Sequence, residues 1–420
     1  MLKKGITELC RILLAVTFLF SGFVKAVDPL GGAYKLHDYF VAFGINVPDF
    51  FELVGSIALA SIEFALGACI LFGVYRFFTT LLILVFMGVM TPLTLYLALA
   101  NPVSDCGCFG DALKITNWET FFKNIVLLAA AITTFKFRAL MKHVYTTKVQ
   151  WFVVVFSYLF AIGVSCWSYF YLPGLDFRPY KAGANIPELM VVPEGMPSDE
   201  YATTFIYEKD GVQKEFTLEN YPEDDSTWVF VSANNVLVKK GYEPPIHDFT
   251  IVTSDGADIT QEVLADPGYT FLVISPKFAK ATDENVERLN TIYDFAAEHG
   301  YKYYALTAST PDEIQQWIDY TGAEYPICTT DEITLKTVVR SNPGLVLLKN
   351  GTIMDMWSFK TFPNETFFDA NLDENYLNGA NIRDYNRFLL YNVLCFTLPL
   401  LLVYIYDYFR NRRKNNKIVS

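Results

Sequence analysis

Cys106-Gly107-Cys108-Phe109-Gly110 sits between two long apolar runs, in a chain whose residues 1–172 are predominantly apolar. Two thiols one residue apart, set among glycines at the end of an apolar run, point to disulfide or electron chemistry. Gly107 lets the backbone fold tightly enough to bring the two Cα atoms within disulfide reach. A ring that small is strained, and strained disulfides are the readily reduced ones. The opposing reading is a static loop-closing bridge or two idle thiols. The remaining cysteines, Cys10, Cys69, Cys166, Cys328 and Cys395, are scattered, most of them in apolar runs, and read as small buried hydrophobes.

Working outward, six runs are long enough to cross a hydrocarbon core of about 20 helical residues. They fall near 6–25, 51–74, 77–100, 118–135, 149–172 and 387–408. A composition that is 52% hydrophobic agrees with a membrane protein, and a net charge of -12 argues against nucleic-acid binding. The first run lacks a small-residue cleavage site and is followed by further spans, so it does not read as a signal peptide. Orientation follows from Lys and Arg. Lys3, Lys4, Arg11, Arg76, Lys136, Arg138, Lys142, Lys148 and the tail Arg410, Arg412, Arg413, Lys414 and Lys417 fall on one side if both termini are cytoplasmic. The CGCFG loop and residues 173–386 then face outward, the oxidising side of a plasma (inner) membrane. Lys25, Lys35 and Lys114 are an outward minority.

Thr116-Asn117-Trp118-Glu119 reads as a capping box opening the fourth membrane helix. Its positive end and Lys114 favour a thiolate in the neighbouring loop, while Asp105 and Asp111 oppose one. A metal site wants four ligands, and only His37 of the neighbouring outer loop is available to join the two cysteines, so none is expected. Glu63 lies in the middle of the second run, where an unpaired ionisable group costs at least ~2.5 kcal/mol. It is a functional candidate, with Lys25 or Asn124 as the expected partner. The bland reading is a paired or protonated structural glutamate.

Ser21-Gly22-Phe23-Val24-Lys25-Ala26-Val27-Asp28-Pro29, then Lys35 and Asp38-Tyr39, with Arg11 before and Glu63 and Gly67 in the next run, resemble the DoxX family of four-helix membrane proteins. The CGCFG loop before the fourth helix is similar to the MauE branch of that group. The resemblance covers roughly 5–140. It implies an assembly or electron-transfer role linked to thiol, sulfur or quinone redox, since MauE is tied to maturing a disulfide-rich periplasmic dehydrogenase.

The outer region begins with β-like sequence over 186–243. Thr203–Tyr207 and Glu215–Leu218 flank a Lys209-Asp210-Gly211 turn, and 227–231 is another strand. From about 246 strands and helices alternate: strand 270–275, helix 283–299, strand 302–307, a helix begun by Thr310-Pro311-Asp312-Glu313 and ended by Gly322, helix 332–341, then strands 344–349 and 352–358 around Asn350-Gly351. This order resembles the thioredoxin fold in its peroxiredoxin-like or TlpA-like form. The resemblance implies a cis peptide at Asn342-Pro343 and a surface there that holds extended polypeptide. Where that family carries Cys-x-x-Cys, this chain reads Ser275-Pro276-Lys277-Phe278-Ala279-Lys280. Dithiol exchange by this domain alone is therefore not expected, and Cys328 is its lone thiol.

The expected architecture is an α-helical membrane bundle of six transmembrane helices plus an α/β thioredoxin-like extracytoplasmic domain with a small β region. The segments are 1–148 (DoxX/MauE-like bundle), 149–172 (fifth transmembrane helix), 173–245 (β-rich), 246–386 (thioredoxin-like), 387–409 (last transmembrane helix) and 410–420 (basic tail). The expected function is thiol/disulfide or quinone-linked electron transfer, or maturation of envelope proteins, through Cys106 and Cys108. Membrane lipid, an envelope thiol protein and a quinone are the candidate partners, and no cofactor is fixed by the residues. A non-catalytic, membrane-anchored binding or scaffold protein is the alternative, and a transporter built on Glu63 is third.

Overall fold

The computed structural model describes residues 1–103, 105–197, 200–209, 211–217, 220, 227–239, 241–364, 367 and 371–419. The helices are α1 (Leu2–Val27), α2 (Pro29–Ala42), α3 (Asp49–Phe72), α4 (Arg76–Ala100), α5 (Asn117–Lys136), α6 (Gln150–Tyr171), α7 (Ile186–Met190), α8 (Thr260–Leu264), α9 (Glu287–His299), α10 (Pro311–Thr321), α11 (Glu332–Val338), α12 (Leu372–Asn375) and α13 (Tyr385–Val419). The strands are β1 (Glu200–Lys209), β2 (Val212–Thr217), β3 (Val229–Lys239), β4 (Tyr269–Ser275), β5 (Lys302–Thr307), β6 (Ile327–Thr329), β7 (Gly344–Lys349) and β8 (Thr352–Ser358).

Among the described residues, α1, α3, α4, α6 and 385–412 of α13 are long and apolar enough to cross a membrane. The protein is a multi-pass membrane protein. The remaining expected span forms α5, of 20 residues, a length of about 30 Å at 1.5 Å per residue. Glu119, Lys123 and Asn124 in its first half make α5 more polar than its neighbours, yet it packs along α1 and α4 as part of the same bundle.

The tightest helix pair is α1 with α3, and glycine permits it. A Cβ on Gly22 would fall on the Phe64 nitrogen and the Ala60 carbonyl, and one on Gly67 on the backbone of Phe18 and Leu19. Small residues at such crossings let backbones approach where no hydrophobic force separates helix from lipid. Arg11 closes the far end of this pair. It donates from Nε to Ile70 O (3.0 Å) and from Nη2 to Leu71 O (2.5 Å), satisfying carbonyls that end α3, and from Nη1 to Lys142 O (3.0 Å) in the α5–α6 loop.

The domain that follows the first five long helices is built on a five-stranded sheet of order β6-β5-β4-β7-β8. Strand β4 runs parallel to β5 and antiparallel to β7. All seven residues of β4 are buried, because the sheet is covered on both faces. Phe271 and Val273 face a core with Leu289, Ile292 and Phe295 of α9. Leu272 and Ile274 face the other core, with Leu335 and Val338 of α11, Tyr180, Ile186 and Phe249. Each such side chain withdrawn from water contributes about 1.5–3 kcal/mol. Asn342-Pro343 is cis, as expected, and leads into β7. This is a thioredoxin-like α/β domain.

Several elements differ from expectation. Residues 186–190 are helix, with Asn185 accepting from Glu188 N and Pro187 in the first turn. The hairpin β1–β2 forms as expected, with Lys209 opposite Val212, while Asp210 and Leu218 lie outside the described residues. Strand β3 runs on to Lys239 because pairing with β1 outweighs the poor strand propensity of Asn234 and Asn235. Helix α9 begins at Glu287, not 283. Asn285 takes a left-handed φ of 62° and turns its amide to Phe359 O (3.0 Å), so helical geometry starts only after it. Helix α11 stops at Val338, short of the expected end at 341, and Val339 is extended. Strand β6, which holds Cys328, was not expected, nor was α2 in the connection between α1 and α3.

Candidate functional site

The two halves of the chain meet where the CGCFG loop emerges. Helix α2 lies over that loop. Asp28 starts α2 by accepting from Gly31 N (2.9 Å), with Pro29 in its first turn, a capped start written in the sequence. Two of its side chains hold the loop: Lys35 Nζ bonds Asp105 Oδ2 at 2.9 Å, and Tyr39 Oη donates to Cys106 O at 2.8 Å. Gly107 takes a φ of 61°, and its amide donates to Asp105 Oδ1 at 2.8 Å. This tight turn brings Cys106 Sγ and Cys108 Sγ to 2.6 Å.

The two thiols differ in surroundings. Cys106 packs with Leu97 and Val103. Its thiol is pushed up, first because it hydrogen-bonds Cys108 and then by burial. Cys108 is held below the ordinary thiol value, first by that bond from Cys106 and then by Lys123 and Lys25. Of the two, Cys108 is therefore the sulfur that ionises more readily. The cations come from α5 and α1. Lys114, the cation expected from sequence, instead lies 3.7 Å from Asp111.

Beneath Cys108 lies a buried polar group of three. Lys25 Nζ contacts Glu63 Oε1 at 2.7 Å and Oε2 at 2.9 Å. Ser21 Oγ lies 2.7 Å from Glu63 Oε2 and 2.7 Å from Cys108 O, so it links the ion pair to the cysteine backbone. Of the two partners expected for Glu63, Lys25 is found there, while Asn124 bonds Thr94 Oγ1 (3.2 Å). Ser21, Lys25, Glu63, Cys108, Lys123 and Asn124 line a small cleft of about 40 Å³ between α1, α3, α4 and α5. His37 pairs with Glu52 at 2.8 Å, on the face of α2 away from the thiols. No cluster of three or more metal-ligating side chains occurs among the described residues.

The thioredoxin-like domain turns its cis-proline end toward the bundle. Asn342 Oδ1 accepts from Ser275 Oγ (2.7 Å) and its amide donates to Lys277 O (3.0 Å), tying that loop to the segment where cysteines would stand in thioredoxins. Lys277, Lys280, Ser341 and Asn342 line one side of a cavity of about 400 Å³, and Tyr34 and His37 of α2 line the other. Lys280 also bonds Asp49, which begins α3. Cys328 is buried within the sheet, and burial pushes its thiol up to about 11.

The sequence singled out Cys106, Cys108, Lys25, Glu63, Asn342 and Pro343. The first four form one cluster, while Asn342 lines the interdomain cavity and Pro343 follows it into β7. Ser21, Tyr39 and Lys123 were missed. Ser21 and Tyr39 lie in stretches quoted for their resemblance, but nothing in one sequence gives the rotation of α1, α2 or α5 toward the loop.

Residues 3–137 match the family described as methylamine utilisation protein MauE, and residues 201–240 match a domain of unknown function, DUF8463. No curated protein matches the chain. Among solved structures, a proposed protein disulfide isomerase from Bacteroides thetaiotaomicron is 19% identical, covering 30% of this chain and 84% of its own, with a TM-score of 0.24. The peroxidoxin BcpB from Mycobacterium tuberculosis is 14% identical, covering 31% and 89%, with a TM-score of 0.23. A thiol peroxidase from Chromobacterium violaceum is 15% identical, covering 32% and 83%, with a TM-score of 0.23.

Proposed function

We propose that this chain, a MauE-like membrane domain joined to a thioredoxin-like domain, is a membrane thiol–disulfide oxidoreductase or maturation factor of the cell envelope. Cys106 and Cys108 are its working pair. The observation that carries this reading is the contact of the two sulfurs at 2.6 Å with the cations Lys123 and Lys25 beside Cys108. A single stabilised thiolate next to a thiol is the arrangement thiol exchange needs.

The exchange balances without a further group. The Cys108 thiolate attacks one sulfur of a client disulfide and releases the client's other sulfur as a thiolate. Cys106 then loses its proton and attacks Cys108 Sγ, expelling the second client thiolate and leaving the Cys106–Cys108 disulfide. Run backwards, the same steps oxidise a client dithiol. In that direction the pair must afterwards pass two electrons and two protons to an acceptor, and a quinone in the bilayer is the candidate, reached from the cleft beside Cys108. Residues 173–386 face the extracytoplasmic side, where clients reside, with both termini in the cytoplasm.

Alkylation trapping of the native protein, with and without a respiratory block, tests the reading. A shift between disulfide and dithiol is expected. A pair wholly oxidised or wholly reduced in every condition would instead favour the scaffold reading. That alternative draws on one observation: the outer domain has no cysteine between Ser275 and Lys280, and its Cys328 is buried.

A further inference from the structure

We propose that Arg340 is a positioning residue for the Cys106–Cys108 pair, so that the thioredoxin-like domain acts on that pair through a guanidinium rather than through a dithiol of its own. The inference rests on the thiol-exchange reading above. Arg340 stands between α11 and the cis Asn342-Pro343 bond, and its side chain is only 6% exposed. Nε donates to both carboxylate oxygens of Asp28 at 3.0 Å. Nη2 reaches Asp28 Oδ2 at 3.0 Å and Asp111 Oδ2 at 3.0 Å. Nη1 donates to Lys336 O at 2.5 Å, and the guanidinium lies 5.4 Å from the centre of the Tyr34 ring. Every nitrogen of the fork is engaged, and two acids of the membrane domain share one cation.

Both acids lead directly to the sulfur pair. Asp111 follows Cys106-Gly107-Cys108-Phe109-Gly110 without a break. Asp28 caps α2, and α2 supplies the Lys35 and Tyr39 bonds that hold the other side of the loop. The anchors of the loop thus converge on a single arginine of the other domain. Arginine suits this role because its planar fork can bond two carboxylates at once, which an ammonium group does poorly. Removing one partner from such a buried set leaves uncompensated charge. The charged and titratable groups around the pair are Lys25 on α1, Lys35 and Tyr39 on α2, Glu63 on α3, Lys123 on α5, and Asp105, Asp111 and Lys114 in the loop.

The test uses the full-length protein in membranes, with Cys10, Cys69, Cys166, Cys328 and Cys395 replaced by Ala. The pair is reduced chemically and pulsed with a maleimide across a pH series. Arg340→Met is expected to slow labelling at neutral pH about tenfold, a rise of about one unit in the pH of half-reaction, at unchanged abundance. Arg340→Lys should fall between. The triple variant Arg340→Met/Asp28→Asn/Asp111→Asn restores neutrality without the fork and should remain slow. Wild-type labelling in Arg340→Met would overturn the proposal. So would full recovery in the triple variant, which would reduce Arg340 to a counter-charge. If Arg340→Met fails to accumulate, Arg340→Lys decides, and unchanged labelling there overturns it. Because the protein is reduced before labelling, a pair that never cycles in the cell would sink the exchange reading while leaving this measurement intact.

Discussion

At the scale of single residues, the cluster beneath the CGC turn depends on a charge held inside the bundle. The side chains of Lys25 and Glu63 are 12% and 4% exposed. Each is tolerable there only because of the other, so removing one should cost more than removing both. Lys25→Met or Glu63→Gln alone is expected to destabilise the detergent-solubilised protein by roughly 3–5 kcal/mol, while Lys25→Met/Glu63→Leu recovers most of that. Thermal unfolding of the variants in one detergent checks this, and equal losses in single and double variants would refute it. A second expectation concerns pH. The proton is lost more readily from the Cys108 thiol than from an ordinary thiol, so one of the two thiols should alkylate well below the usual pH of about 8.5 and the other well above it. Lys123→Met should move the first step upward, and a single unsplit step in the wild type would contradict the assignment. Glu63 and Lys25 were legible because an ionisable residue in an apolar run announces itself. Lys123 was not, because it lies near the start of α5, where a lysine also reads as an interfacial anchor. Which side of α5 meets Cys108 follows only from packing.

Among elements, the most legible were those whose local and global signals agree. Strands β5, β7 and β8 match their expected limits, and α10 opens on the expected Thr310–Glu313 capping box. Helix α2 was missed despite its Asp28-Pro29 start. Its apolar face is short, and it lies over the CGCFG loop at one end of the bundle rather than in a core. The α9 start was misjudged because Asp283-Glu284 resembles an N-terminal turn, while the tertiary bond from Asn285 to Phe359 decides otherwise. The α1–α3 crossing gives a test with a built-in control. A methyl group added at Gly22 or Gly67 meets backbone atoms of the facing helix, so the helices must part. Gly22→Ala and Gly67→Ala should each cost about 1–3 kcal/mol as overpacking. Gly88 in α4 has nothing within 4 Å of such a methyl. There Ala should be neutral or stabilising by up to about 1 kcal/mol, from helix propensity alone. Thermal shifts of the three variants, ordered otherwise, would mean that α1 and α3 do not cross at these glycines.

At the scale of the whole molecule, contacts sort the chain into two ends. One end gathers the CGCFG loop, α2, the start of α3 and the thioredoxin-like domain, joined by Arg340 to Asp28 and Asp111 and by Lys280 to Asp49. The other gathers the start of α1, the α3–α4 turn, the α5–α6 loop and the end of α13. There Arg11 bonds Ile70 O and Lys142 O, Arg76 bonds Met141 O, Tyr145 bonds Leu400 O and Thr146 bonds Asp407. Helix α5 joins the two ends, so it traverses the bundle although its first half is polar. With α5 counted among the traversing helices, both termini fall at the second end. That end also carries Lys3, Lys4, Arg11, Arg76, Arg138, Lys142 and Lys148, and this excess of basic residues in short loops is the basis on which we propose it as the cytoplasmic side. Two fusions therefore have opposite expectations. A fluorescent reporter that folds only in the cytoplasm should be bright when placed after Ser420. A phosphatase that works only outside should be active when inserted at Gly195, in the segment leading to the β1–β3 sheet. A dark C-terminal fusion together with an inactive phosphatase at Gly195 would invert the topology, placing the CGC pair in the reducing compartment, where a dithiol rather than a disulfide is the resting state.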